Sequence, residues 1–180
     1  GNGAFSGCSK ITSLSLPAAA EIGVSAFSRC SALETVTLSD ALEAIRASVF
    51  YKCSSLQTIS LPESLTYIGE NAFAETGLKN IEIGTSVEYI GKGALRSSFE
   101  SVTLPFVGEK LDGTGSRSLG WAFSREPSVH LYLPATLKTV VILGGEFDEK
   151  AFYNLSSEVT SLPLPEGITS LLYGAPPYNL

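Results

Sequence analysis

A group of residues recurs along this chain at nearly constant spacing. Apolar anchors fall at five positions separated by 22, 23, 23 and 22 residues: Phe5, Phe27, Phe50, Phe73 and Leu95. Each unit is too short to bury its own apolar side chains, and stacking on its neighbours would join those side chains into one continuous core. Self-similarity at this period is typical of a solenoid.

Each unit also carries a short alternating apolar pattern. In the second unit, "LETVTL", the apolar residues are Leu33, Val36 and Leu38. This alternation predicts a strand with one buried face. Strands at the same place in successive units must run parallel, about 4.8 Å apart, so that equivalent side chains stack in columns.

The rest of the unit reads as turns. Proline follows the strand at Pro62 and Pro105 and ends the ladder because it lacks an N–H donor. A second apolar step precedes Gly69 and Gly91, which we expect to allow a turn. The aromatic anchor then lies in a segment predicted to form one short helical turn.

The three cysteines occupy one recurring position. Cys8, Cys30 and Cys53 are 22 and 23 residues apart. Metal ligands are usually separated by a few residues, and no histidine accompanies these cysteines. We interpret them as buried thiols that fill space in one column, with a disulfide or a reactive site as the alternative.

Composition excludes several functional classes. The chain is 44% hydrophobic and 17% charged, which indicates a folded protein, and its net charge of −6 comes without a basic run that would bind nucleic acid. No apolar stretch reaches the roughly 18 residues of a membrane-spanning helix. The start "GNGAF" leads us to expect a piece of a longer protein.

No catalytic grouping stands out. The chain has one histidine, His130, and no serine or cysteine with an evident histidine and acid partner. "GTGS" at 113–116 lacks the lysine and the spacing of a phosphate-binding loop. We therefore predict no enzyme, no catalytic residue, no metal site and no cofactor.

The period fails after Pro105. The next certain strand position lies at Val140, 38 residues after Val102, so roughly 16 residues are added. This insert, at about 106–130, contains the candidate binding residues Arg117, Trp121 and Arg125. Insertions in solenoids often emerge as recognition loops. The alternative is a packed structural loop in which Phe123 is one more anchor.

The outward side of the strands is the second candidate surface. Polar residues, mostly serine and threonine, flank each central aliphatic side chain, although Asn80 and Glu82 interrupt the series of hydroxyl groups. We call five of these polar residues the strand face: Thr35, Thr37, Thr58, Ser60 and Glu82. A regular polar array of this kind is suited to an extended partner, a glycan or a water lattice. The alternative is that threonine and serine simply suit a solvated strand.

The combined pattern A-F-x-x-C-x-x-L-x-x-I-x-L-P-x-x-L-x-x-I-G resembles the BspA-type leucine-rich repeat of bacterial surface proteins. The resemblance is clearest over residues 3–105, with a degenerate copy at 150–171. It implies an α/β leucine-rich-repeat solenoid with a curved parallel sheet. It also implies an extracellular, bacterial cell-surface location and adhesion to host matrix or other cell-surface proteins.

We therefore predict one solenoid domain over 1–180 with about seven coils of roughly 22–23 residues. A C-terminal cap is expected at 172–180. The predicted function is a non-enzymatic adhesion module that engages a protein partner through the strand face or the insert. The alternatives are a structural spacer and a glycan-binding module that uses the exposed aromatic residues Trp121, Tyr132 and Tyr153.

Overall fold

The strands of this protein are two to four residues long and stack in parallel from one turn of the chain to the next. The structure is a computed structural model that describes residues 1–16, 21–116, 118–124, 133–145, 151–152 and 157–163. Within these ranges the strands are β1 Ser13–Ser15, β2 Thr35–Thr37, β3 Ala44–Ile45, β4 Tyr67–Ile68, β5 Asn80–Glu82, β6 Tyr89–Ile90, β7 Ser101–Leu104 and β8 Thr139–Ile142. One 3₁₀ helix is described, Leu119–Phe123.

Each turn contributes to two sheets. The first ladder holds β1 against β2, and further along it holds β5 against β7 and β7 against β8. The second sheet has the order β3-β4-β6. All of these pairs are parallel, with equivalent residues in register, as in Leu14 opposite Val36 and Ile68 opposite Ile90. The predicted parallel-sheet solenoid of the leucine-rich-repeat type is confirmed.

The anchors form the predicted column. The rings of Phe5 and Phe27 stack 5.4 Å apart, those of Phe27 and Phe50 6.1 Å apart, and those of Phe50 and Phe73 5.8 Å apart. Phe5, in the first turn, is 47% exposed, whereas Phe27 between two rings is 3% exposed. Shielding from water therefore comes from the turn above and the turn below.

The number of regular turns is lower than predicted. Within the described ranges the solenoid has about four turns, fewer than the seven coils predicted for 1–180. Paired residues of β5 and β7 are one repeat apart in the sequence, with Ile81 opposite Val102. Paired residues of β7 and β8 are much farther apart in the sequence, with Val102 opposite Val140. The insert therefore lengthens the connection between two adjacent strands, and spacing by one repeat resumes after it, with Thr139 in parallel register with Ser161.

One predicted strand is absent from the first ladder. The alternating pattern predicts a strand around Ile59, but 57–61 forms no strand and makes no backbone hydrogen bond to β2 or β5. A cleft of about 360 Å³ opens between this segment and β5. The first ladder is therefore divided into two parts.

The helical turn predicted at the anchors is present at Phe123, in the 3₁₀ helix Leu119–Phe123, but the prediction is wrong for the earlier anchors. The anchor segments are series of hydrogen-bonded turns, as in Ser28 N–H to Ser25 O at 3.1 Å and Cys30 N–H to Phe27 O at 3.2 Å. Ser25 and Arg29 have positive φ angles of 57° and 62°. Left-handed residues at both ends of the segment prevent a continuous right-handed helix.

Candidate interaction surfaces

The strand face lies open to solvent. Its five residues are all exposed, whereas Ile81 between Asn80 and Glu82 is 2% exposed. This is the alternation that the pleat of a strand imposes. The structure therefore places the residues selected from the sequence on one outward surface.

The cleft in the ladder brings three of these residues together. Thr58 and Ser60 line it from one side and Glu82 from the other. Thr35 and Thr37 lie one turn earlier, on β2. Because residues 57–61 make no backbone hydrogen bond to a neighbouring strand, their amide and carbonyl groups are available to water or to a partner.

The described part of the insert packs on the core. Phe106, Val107 and Phe123 are buried. The indole N–H of Trp121 donates to the carbonyl of Ile90 at 2.9 Å. The N–H of Leu95 donates to the carbonyl of Ala122 at 2.7 Å, the same contact that Phe73 makes with Ala94 one turn earlier. These contacts favour the structural interpretation of Trp121 and identify Phe123 as an anchor.

Several of the predicted residues lie outside the described ranges. Among the candidate binding residues these are Arg117 and Arg125, and among the aromatic and histidine candidates they are Tyr132, Tyr153 and His130. The cap at 172–180 and most of the degenerate copy at 150–171 also lie outside them. Their roles stay predictions.

The loop at 110–116 is built around carboxylates. Asp112 accepts hydrogen bonds from the backbone N–H and the hydroxyl of Thr114 at 2.8 and 2.7 Å. Glu109 accepts one from the N–H of Ser116 at 3.2 Å. Donors that a phosphate-binding loop would direct at its ligand are therefore used by the protein's own acids.

The cysteine column is formed as predicted, with Cys30 and Cys53 buried and Cys8, in the first turn, only partly buried. The thiol of Cys30 donates to the carbonyl of Phe5, and that of Cys53 to the carbonyl of Phe27, both at 3.2 Å. Cys8, Cys30 and Cys53 are free thiols. Burial, followed by the charge of Cys30, raises the pKa of Cys53 to about 12, so this thiol is protonated and unreactive at neutral pH.

An ion cluster links three successive turns. Glu75 contacts Arg96 at 2.9 Å and Lys52 at 3.5 Å. The hydrogen bond from Arg96, with smaller effects from both cations, lowers the pKa of Glu75. A general acid or base works best with a pKa near the working pH, so this shift favours an ion-pair role for Glu75.

Within the described ranges, no group of three or more histidine, cysteine, aspartate or glutamate residues could hold a metal ion. No helix in the same ranges has the length and apolar character required to cross a bilayer.

One surface pair was overlooked in the sequence. Tyr67 and Tyr89 stack with ring centroids 4.7 Å apart and planes within 4°. Tyr67 is 39% exposed. The signal was present, because tyrosine precedes the isoleucine in both "LTYIG" and "VEYIG". Equivalent positions one repeat apart are adjacent in a solenoid, so two tyrosines there must meet.

Comparison with known proteins gives one family and several related structures. Residues 1–105, more than half of the chain, match the family described as "BspA type Leucine rich repeat region" in 6 copies. No curated protein matches the chain.

Two solved structures share the fold. A leucine-rich repeat protein from Bacteroides ovatus is 24% identical with a TM-score of 0.55, and the alignment covers 96% of this chain and 44% of that one. The T. pallidum leucine-rich repeat protein is 26% identical with a TM-score of 0.57, over 97% of this chain and 70% of that one. The chain thus spans less than half of the B. ovatus protein.

Proposed function

Since the chain belongs to the BspA-type leucine-rich repeat family, we propose that it is a non-enzymatic binding module at a bacterial cell surface and that it engages a protein partner. The contact surface in this proposal is the strand face. The extracellular location is part of this proposal, and the family resemblance supports it. The full-length protein's partners are part of the same proposal.

One observation carries the proposal: the strand face is exposed and opens into a cleft. Thr58, Ser60 and Glu82 converge there, beside backbone groups that no neighbouring strand uses. Polar groups of a partner that reach the mouth of the cleft can hydrogen-bond to those backbone groups. Hydroxyl groups at the rim of the cleft can donate and accept further hydrogen bonds.

The chain also offers a surface long enough for a protein. Solenoids present extended surfaces, and a specific protein contact buries roughly 1,200–2,000 Å² in total. A small-molecule site would instead call for a largely enclosed apolar pocket. The exposed polar face of β2, the 57–61 segment and β5 fits the first description better.

The test is a binding measurement with matched substitutions. The chain is immobilised and challenged with a panel of purified extracellular-matrix proteins and bacterial surface proteins by biolayer interferometry. For any protein that binds, Thr35, Thr37, Thr58 and Ser60 are each replaced by alanine. We expect at least two of the four variants to bind about fivefold more weakly, or worse, as for a lost interfacial hydrogen bond of about 1 kcal/mol.

The controls are Thr85→Ala and Ser86→Ala. Both residues are exposed and lie in the turn after β5, outside the strand face. Undiminished binding in all four strand-face variants would exclude that surface. If no protein of the panel binds, the proposal of a protein-binding module fails and the spacer function is favoured.

A further inference from the structure

The exposed side of the second sheet carries an aromatic pair. Tyr67 on β4 and Tyr89 on β6 point outward, while their neighbours Ile68 and Ile90 are buried at 0% and 1% exposure. The pair belongs to a different sheet from the strand face. The core does not require it, since Ala44 holds the equivalent position on β3.

A cleft of about 450 Å³ adjoins this pair. It is lined by the two tyrosines, by the 40% exposed Leu111 and by three charged residues, Glu88, Lys110 and Asp112. Lys110 bridges to Tyr89 in antiparallel register, so the first part of the insert forms the far wall. Exposed aromatic and aliphatic groups beside a few charges are the usual composition of a protein contact site.

The charges around the cleft are mainly negative. Burial, then the charges of Tyr67, Glu109 and Glu70 and a hydrogen bond with Glu109, raises the pKa of Tyr89. Hydrogen bonds from Thr114 lower the pKa of Asp112, which therefore stays ionised at neutral pH. With Glu88 there are four carboxylates near the pair, and Lys110 offsets one of them.

We propose that this cleft, which we call the tyrosine cleft, binds a lysine or arginine side chain of a protein partner. The inference rests on the proposed function and adds a second contact region with a stated chemistry. A cation beside a tyrosine ring is attracted by its negative face. Its aliphatic stem can pack on Leu111 while the carboxylates of Glu88 and Asp112 meet its charge.

The chain already uses this contact within itself. The ammonium group of Lys52 lies 5.3 Å from the centroid of the Tyr51 ring. The overall charge of −6 further favours a basic partner segment, since it raises the rate of encounter with one.

The opposite side of the tyrosine pair has a different character. There a cleft of about 380 Å³ is lined by Tyr67, Val24, Ala44, Ala47 and Arg46. Arg46 is 3.5 Å from Glu21, and both side chains are largely exposed. This side has one cation paired with one carboxylate, whereas the Tyr89 side has four carboxylates and one lysine, so the charge pattern favours the Tyr89 side for the basic side chain.

The test uses a charged probe and a neutral counterpart of nearly the same shape. The full chain, labelled with ¹⁵N and with ¹³C in the tyrosine rings, is titrated with an acetylated and amidated Gly-Arg-Gly-Arg-Gly peptide. The matched probe has citrulline in place of both arginines. We expect the arginine peptide to shift the resonances of Tyr67, Tyr89 and Leu111. The citrulline peptide should bind at least about fivefold more weakly, because it cannot make a cation–π contact.

Substitutions place the effect at the cleft. Asp112→Asn keeps an acceptor for Thr114 and removes one charge, so it should weaken the arginine peptide about threefold at low salt. Glu63→Gln removes the same charge from an exposed residue outside the cleft and should leave binding unchanged. Tyr89→Leu should abolish the shift that the arginine peptide causes at Tyr67, while the remaining resonances keep the dispersion of a folded protein.

Three outcomes would overturn the inference: no shift at Tyr67 and Tyr89, equal binding of the arginine and citrulline peptides, or shifts there with a neutral disaccharide and none with arginine. The last would make the cleft a saccharide site. The proposed function is tested separately, because the strand-face variants leave the tyrosine cleft intact. Loss of partner binding in those variants with no response to the arginine peptide would reject this inference alone.

Discussion

Gly69 and Gly91 lie where the backbone of one turn closely approaches the next. A Cβ atom placed on Gly69 would lie 2.5 Å from the amide nitrogen of Ala47, and one on Gly91 would meet the amide nitrogen of Glu70. Their own amides donate to Ile45 and Ile68 of the preceding turn, both at 2.7 Å. From the sequence, these glycines were expected to allow a turn. Glycine is required at both positions because a side chain there would collide with the backbone of the preceding turn.

Replacing Gly69 by alanine should therefore be costly. The added methyl group meets backbone atoms that cannot move aside, and we expect the free energy of unfolding to fall by at least about 2 kcal/mol. Urea denaturation followed by circular dichroism measures it. Gly84→Ala is the matched control, because a Cβ there meets nothing within 4 Å, and it should change stability by less than about 0.5 kcal/mol. Equal losses in both variants would contradict the close-approach explanation.

At the scale of the strands, the segment 57–61 is the exception to the repeat. The amide of Ile83 donates to Thr103 at 2.9 Å, whereas the equivalent amide of Leu61, one repeat earlier, makes no backbone hydrogen bond. The segment nevertheless keeps its core contact through Leu56, which is 0% exposed. The turn is thus held by its apolar side chains while the ladder is open above and below it.

Hydrogen exchange should detect this opening. We expect the amide of Leu61 to exchange up to about tenfold faster than that of Ile83, because it lacks a hydrogen bond with a net contribution of up to about 1.5 kcal/mol. The two amides occupy the same position of the repeat, so each serves as the control for the other. The measurement is native-state exchange by NMR. Equal protection of the two amides would show that the ladder is continuous and that the cleft is closed.

The sequence predicts the columns well and the ladder less well. Phe27, Phe50 and Phe73 recur as one residue type, so periodicity alone places them on top of one another. Thr58-Ile59-Ser60 matches the strand pattern as closely as Thr35-Val36-Thr37 does, and nothing local distinguishes the open segment from the paired one. Strand pairing depends on the distance to both neighbours, which is a property of the stacked turns.

The candidate surfaces could likewise be predicted from the sequence only where the repeat is regular. Thr35, Thr37 and Glu82 are exposed as expected because strand alternation fixes their side. The tyrosine cleft was missed because it needs Leu111 and Asp112, which belong to the insert after the period has ended. Without periodicity, the sequence does not specify which turn an inserted residue will contact.

At the scale of the whole molecule, each turn depends on its neighbours for burial. The aromatic column, the thiols of Cys30 and Cys53 and the aliphatic residues of both sheets belong to one continuous core. In such an array, stability is approximately a sum of contributions from each turn and from each pair of adjacent turns. The strand face and the tyrosine cleft are exposed surfaces of this stack, so both depend on its regular spacing.

A double-mutant cycle on the aromatic column tests this stacking most directly. Phe50 and Phe73 are replaced by leucine singly and together, since Leu95 already occupies the same column, and unfolding free energies are measured in urea. We predict a coupling of about 0.5–1.5 kcal/mol for this adjacent pair, and additivity within about 0.5 kcal/mol for Phe27 and Phe73, which are two turns apart. Additive effects for Phe50 and Phe73, or equal coupling in the two pairs, would contradict the account.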